Sequence, residues 1–199
     1  MIKKIRRKVG PAGEFEDAQI ERFGNSNGNR RITIATIFSP VRRVARYAVK
    51  DQNCTMAIQK ESGGHVQILA NAHYYYLLKD IAQMIRIEEA EIRKIDLEKI
   101  FNSSAGVKYL RSEGIISEVR NWIFFHGEFL LNGSPRNISV EPTIIRLEKI
   151  KQIVLFALDE DPEYPHRFKR CKNLKNCMGD SCPHHKYNLI KCSKIRRFN

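Results

Sequence analysis

Four of the five cysteines in this 199-residue chain, Cys171, Cys177, Cys182 and Cys192, fall within 22 residues, spaced C-x5-C-x4-C-x9-C. His184 and His185 follow the third. The stretch has few apolar residues with which to build a core, chiefly Leu174, Met178, Tyr187, Leu189 and Ile190. Something other than burial must order it. Zinc in structural sites takes four Cys or His ligands in a tetrahedron, and short loops between ligands let a small segment fold around the ion. In a secreted mini-protein the same cluster would suggest disulfides. Here the body holds only Cys54, which reads as a buried apolar residue in a strand, and no apolar signal core follows the basic start Met1–Lys8. The thiols are therefore read as reduced metal ligands in an intracellular protein, whether cytoplasmic, nucleoid or nuclear. No run reaches the ~18 apolar residues of a membrane span.

Two ligand sets fit one Zn2+ per chain. The first is Cys171, Cys177, Cys182 and Cys192, and it uses every cysteine of the cluster. The second replaces Cys192 with His184 or His185. An iron–sulfur cluster also takes four cysteines, but the familiar ferredoxin spacings are missing.

Charge points to the partner. The formal net charge is +13 and the pI is near 9.7. Residues 1–50 hold 12 Lys and Arg against 4 acids, and residues 161–199 hold 10 against 3, while the middle is close to neutral. Cations gathered at two ends suit a polyphosphate better than a solvating surface would. Nucleic acid is the expected partner, RNA ahead of DNA, with room for self-association and no membrane role. The contacts expected at the first end are Lys3, Lys4, Arg6, Arg7 and Lys8, with Arg42, Arg43 and Arg46 on a short basic helix. At the other end they are Arg167, Lys169, Arg170, Lys172, Lys175, Lys186, Lys194, Arg196 and Arg197. Tyr187 would either stack on a base or cover the metal knot.

The intervening pattern predicts an α+β fold: a mainly helical body, a small N-terminal β portion and a C-terminal zinc-stapled module. Residues 1–30 read as a basic flexible arm, 31–160 as the core domain and 161–199 as the Cys-rich tail, hinged at Asp159–Pro165. Arg31–Phe38 alternates and is β-branched, so it predicts a strand. Val41–Lys50 has the spacing of a short helix. Cys54–Gln59 and His65–Ala70 predict a hairpin around Gly63-Gly64. From Tyr74 to Phe101 the apolar period is helical, with a break near Asp96 and with Glu88, Glu89 and Glu91 off the apolar stripe. A short helix is expected over Ala105–Arg111 and a longer one over Thr143–Leu158. Periodicity leaves Trp122–Leu131 open between helix and buried strand. Asp96–Ile116 is loosely like a helix-turn-helix with a wing at Gly114, although ordinary packed helices account for it as well.

The segment Cys171-Lys-Asn-Leu-Lys-Asn-Cys-Met-Gly-Asp-Ser-Cys-Pro-His-His resembles CCCH-type RNA-binding zinc fingers in its C-x5-C-x4-C spacing. That class has three residues between its last Cys and the His, and here that position is Lys186, so His185 or Cys192 would have to serve. Arg167-Phe-Lys-Arg-Cys-Lys-Asn173 and Lys191-Cys-Ser-Lys-Ile-Arg-Arg197 also look like the edges of CGNR-type zinc-finger regulators, without the Cys-Gly-Asn-Arg motif. Each resemblance covers about 30 residues, and each implies nucleic-acid binding.

Enzyme chemistry finds little support. His65, His73, His126 and His166 are scattered, there is no Walker loop and no His-Glu-x-x-His, and the only acid within the cysteine cluster is Asp180. Three expectations follow. The first is a zinc-containing nucleic-acid-binding protein, regulating transcription or binding RNA. The second is an assembly component of a viral or ribonucleoprotein particle. The third is a metal-dependent enzyme acting on nucleic acid.

Overall fold

The computed structural model describes residues 10–24, 31–41, 43–97, 100, 104–125, 129–132, 140–158, 182, 186, 187 and 189. Along the chain these form α1 (Pro11–Phe15), β1 (Gln19–Gly24), β2 (Arg31–Phe38), α2 (Val44–Lys50), β3 (Met56–Lys60), β4 (Val66–Ala70), and α3 (Tyr75–Ile92), entered through a 3-10 turn at Ala72–Tyr74. Then come α4 (Ser104–Leu110), β5 (Gly114–Ile115), β6 (Ile123–Phe125), β7 (Phe129–Leu131) and α5 (Leu147–Leu158). The fold is α+β. The chain divides into two compact units, one of residues 1–75 and 126–143, the other of 76–125 and 144–199.

The first unit is built on a mixed sheet in the order β1-β2-β3-β4-β7. β2 and β3 are parallel and the other neighbours antiparallel. A parallel pair needs a crossover, and α2 supplies it. Its Val44, Ala45, Ala48 and Val49 pack with Ala35 and Ile37 of β2, Ala57 of β3, Leu69 of β4 and Cys54. Gln59, fully buried, fastens the crossover to the sheet. Its Oε1 accepts from Ala45 N (3.1 Å) and its Nε2 donates to Ser39 O (2.8 Å) and Val41 O (3.0 Å). The expected hairpin is present as β3–β4. Gly64 sits at φ +86°, where a Cβ would also stand 3.1 Å from Pro142 Cβ, so two constraints favour glycine there.

Residues 10–24 depart from the flexible arm expected over 1–30. Phe15 packs edge-on against Tyr47, with ring centroids 5.6 Å apart, and β1 runs antiparallel to β2 from Gln19↔Thr36 to Gly24↔Arg31. The strand was hidden because Gln19-Ile-Glu-Arg-Phe-Gly does not alternate. As an end strand of this order it has one paired neighbour among the described residues and tolerates charge.

The second unit is organised by α3. Every residue from Ile81 to Ala90 is buried, Glu88 and Glu89 included, so the helix has no solvated face over that stretch. It ends at Ile92, short of Asp96, in a left-handed C-cap. Lys94 takes φ 58°, Ile95 N donates to Ala90 O (2.8 Å) and Lys94 N to Glu91 O (3.1 Å), the pair of bonds that closes a Schellman turn. α4 follows the expected short helix one residue earlier. Trp122–Leu131 resolves into strand, with β6 pairing antiparallel to β5 in this unit and β7 to β4 in the other. α5 begins at Leu147 rather than Thr143.

Candidate functional site

Most of the residues singled out from the sequence lie outside the described set. Those are Cys171, Cys177, Cys192, His184 and His185 of the metal cluster, and Lys3, Lys4, Arg6, Arg7, Lys8, Arg42, Arg167, Lys169, Arg170, Lys172, Lys175, Lys194, Arg196 and Arg197 of the cationic set. Five are described: Cys182, Lys186, Tyr187, Arg43 and Arg46. Among the described residues no group of three or more His, Cys, Asp and Glu comes together as a metal would require.

Cys182 is half-buried with a free thiol. Its carbonyl accepts from Lys186 N at 2.8 Å. Lys186 and Tyr187 both reach α3. Tyr187 is only 3% exposed. Its hydroxyl donates to Glu88 Oε2 (2.6 Å) and its carbonyl accepts from Gln83 Nε2 (2.6 Å). Lys186 Nζ lies 3.1 Å from Glu88 Oε2 and 2.8 Å from Glu91 Oε2. Leu189 is buried as well, at 4%.

This arrangement fixes what these side chains can do. A buried ring offers no face to a base, so Tyr187 does not serve as the stacking platform that the sequence allowed. Lys186, expected on phosphate, is instead engaged by two carboxylates. Burial works against its charged form, but hydrogen bonds and charge from Glu91 and Glu88 outweigh burial and raise its pKa. Burial and then Glu88 push the Tyr187 phenol well above its ordinary value of 10.0, so it is a neutral donor across the usual pH range.

Glu88 is one of four polar positions, with Gln83, Arg86 and Glu89, that make α3 a hub. Glu89 Oε1 accepts from Arg93 Nε (2.8 Å), Asn121 Nδ2 (2.7 Å) and, at 3.4 Å, Ile144 N, while Oε2 accepts from Trp122 Nε1 (3.1 Å). Arg86, fully buried, gathers the backbone between α4 and β6. Its guanidinium donates to Leu110 O (2.8 Å), Ser112 O (2.9 Å), Gly114 O (2.7 Å) and, at 3.4 Å, Trp122 O. Desolvation lowers its pKa to about 10, still far enough above neutrality to keep the charge. The sequence concealed this hub because glutamate and arginine at helical spacing ordinarily mark a solvated face.

In the first unit Arg43 and Arg46 are exposed, as is Lys50. Arg43 is the N-cap of α2 at φ 73°. The buried side of α2 is the apolar one, so the helix presents its cations outward, as its spacing predicts.

Two units of mixed α and β structure, with a tail segment tied to α3, define this chain at the level of class. No family model, no curated protein and no solved structure matches it.

Proposed function

We infer that this is a zinc-containing protein that binds nucleic acid, RNA ahead of DNA, with one Zn2+ held by Cys171, Cys177, Cys182 and either Cys192 or a histidine of the pair His184-His185. The observation that carries the reading is four thiols and two imidazoles within 22 residues, in a stretch dense in cations. Sulfur and imidazole donors in that number suit zinc. Cys182, half-buried and with its carbonyl bonded to Lys186 N, is compatible with a ligand.

A bound ion would give the cationic tail a rigid frame, and Arg43 and Arg46 add an outward basic surface in the other unit. The grip on nucleic acid is then made by Arg167, Lys169, Arg170, Lys172, Lys175, Lys194, Arg196 and Arg197 and by the basic residues Lys3–Lys8, without Lys186 and Tyr187. Phosphate contacts of this kind release counterions, so affinity falls steeply with salt.

Metal content of the purified full chain, together with binding to single- and double-stranded RNA and DNA over a salt series, tests both halves. The expected outcome is one zinc per chain, lost in the double variant Cys171→Ser, Cys177→Ser. Affinity should drop about a thousandfold between 50 and 200 mM salt if roughly six or more phosphates are neutralised. A chain without metal removes the zinc half, and binding indifferent to salt removes the other.

A further inference from the structure

We propose that Glu88 and Gln83 of α3 are positioning residues for the metal-binding tail: they latch the segment after Cys182 into the core of the second unit, so that metal loading and the folding of that unit form one linked equilibrium. The proposal rests on the zinc reading above.

Its basis is the placement of three described tail residues. Tyr187 and Leu189 are buried at 3% and 4%, and Tyr187 is held at both ends, by its hydroxyl on Glu88 and its carbonyl on Gln83, each at 2.6 Å. Lys186 adds an ion pair to Glu88 and Glu91. The latch stands five residues after Cys182 and five before Cys192. If Cys192 is the fourth ligand, the loop closed by the metal between Cys182 and Cys192 contains the latch. If a histidine is, the loop ends two or three residues before it. In both cases Lys186, Tyr187 and Leu189 stand close in sequence to a ligand and are held against the second unit before the ion arrives. Ordering a residue carries an entropic cost, and a latch that has met it in advance tightens the metal site. Linkage makes the effect reciprocal: what the latch does for metal affinity, the metal does for the latch.

The sequence did not disclose this. A hinge at Asp159–Pro165 suggested an appendage swinging free of the body, and Glu88 looked like a solvated residue. The contact joins residues 99 apart in the chain.

The experiment compares the full-length wild-type chain with Tyr187→Phe and Glu88→Gln, and with Asp80→Asn as a control. Asp80 pairs with Arg111 at 2.7 Å in the same unit and is not among the groups that hold Tyr187 and Lys186. Zinc affinity is measured by competition with a chromophoric chelator, ligand geometry by the visible spectrum of the cobalt-loaded protein. The two latch variants should bind zinc about tenfold to a hundredfold more weakly, the worth of one hydrogen bond to a charged group. Their cobalt spectra should match wild type, because the ligands are unchanged. Asp80→Asn should leave zinc affinity where it was. In wild type alone, adding zinc should slow amide hydrogen exchange along Gln83–Glu91, a readout that survives even if a variant fails to fold. Equal zinc affinity in wild type and latch variants, or no protection of α3 by zinc, overturns the latch while leaving the zinc reading intact. A changed cobalt spectrum in Glu88→Gln would make Glu88 a ligand and also overturns it. A wild-type chain that takes up no zinc overturns the zinc reading itself, and the latch with it.

Discussion

At the scale of single residues, burial has converted ordinary side chains into pH-dependent ones. The Tyr187 phenol has its pKa raised by burial and by Glu88. Its unfolded value is near 10.0, so below that pH folded and unfolded chains both hold the proton and its contribution is complete. Above it the unfolded chain releases a proton that the folded chain retains, and stability falls as pH rises. The thermal midpoint of the second unit should therefore drop beyond about pH 10 in wild type and drop less steeply in Tyr187→Phe, measured by calorimetry across an alkaline series. Cys54 behaves in the same sense. It is 2% exposed, and burial raises its thiol pKa against a smaller opposing effect of Arg22. A buried neutral thiol is a poor nucleophile. Mass spectrometry after brief maleimide treatment should find Cys54 unlabelled in the native chain and labelled in denaturant; labelling at the same rate in both would contradict its placement in the core.

At the scale of elements, α3 shows where reading a sequence succeeds and where it fails. Its start and helical period were legible, because Leu77, Ile81, Met84 and Ile85 repeat at the right spacing and all are buried. Its surroundings were not. A period locates one buried face, and nothing local reports that the opposite face is buried too. Glu89 is satisfied by Asn121 and Trp122, more than 30 residues away, and Arg86 by carbonyls 24 to 36 residues away. The same limit hid β1, whose pairing with β2 shows only in the register, and it left Trp122–Leu131 open until two different strand partners decided it. At the candidate site the cysteine spacing was visible from the start, but its attachment to the body was not. Replacing Arg86 by Met should be costly, because it removes the donor that serves four backbone carbonyls at once. A loss of about 3 kcal/mol is expected from denaturant unfolding. Arg86→Lys should recover only a part, since an ammonium lacks the planar fork.

At the scale of the molecule, the expected partition into arm, core and tail gives way to two interleaved units. The chain leaves the first unit after Tyr75, re-enters it at His126 and leaves again after Thr143. The tail of the sequence-based partition belongs to the second unit. Removing residues 182–199 should thus loosen α3 while leaving β2–β4 in place. Hydrogen exchange by mass spectrometry can check this: faster exchange in Ile81–Ala90 with unchanged protection in Met56–Ala70 is the expected pattern, and uniform loss in both would contradict it.

The interleaving also sets a timetable. A ribosome makes Glu88 long before Tyr187, 99 residues later. At roughly 5–20 residues per second that is a wait of roughly 5–20 s. Glu89 meets Asn121 and Trp122 much sooner. During synthesis, then, the second unit can gather around Arg86 and Glu89, with Lys149 Nζ 3.9 Å from Glu88, before the cysteine-bearing segment brings Tyr187 to that carboxylate and Lys186 to Glu88 and Glu91.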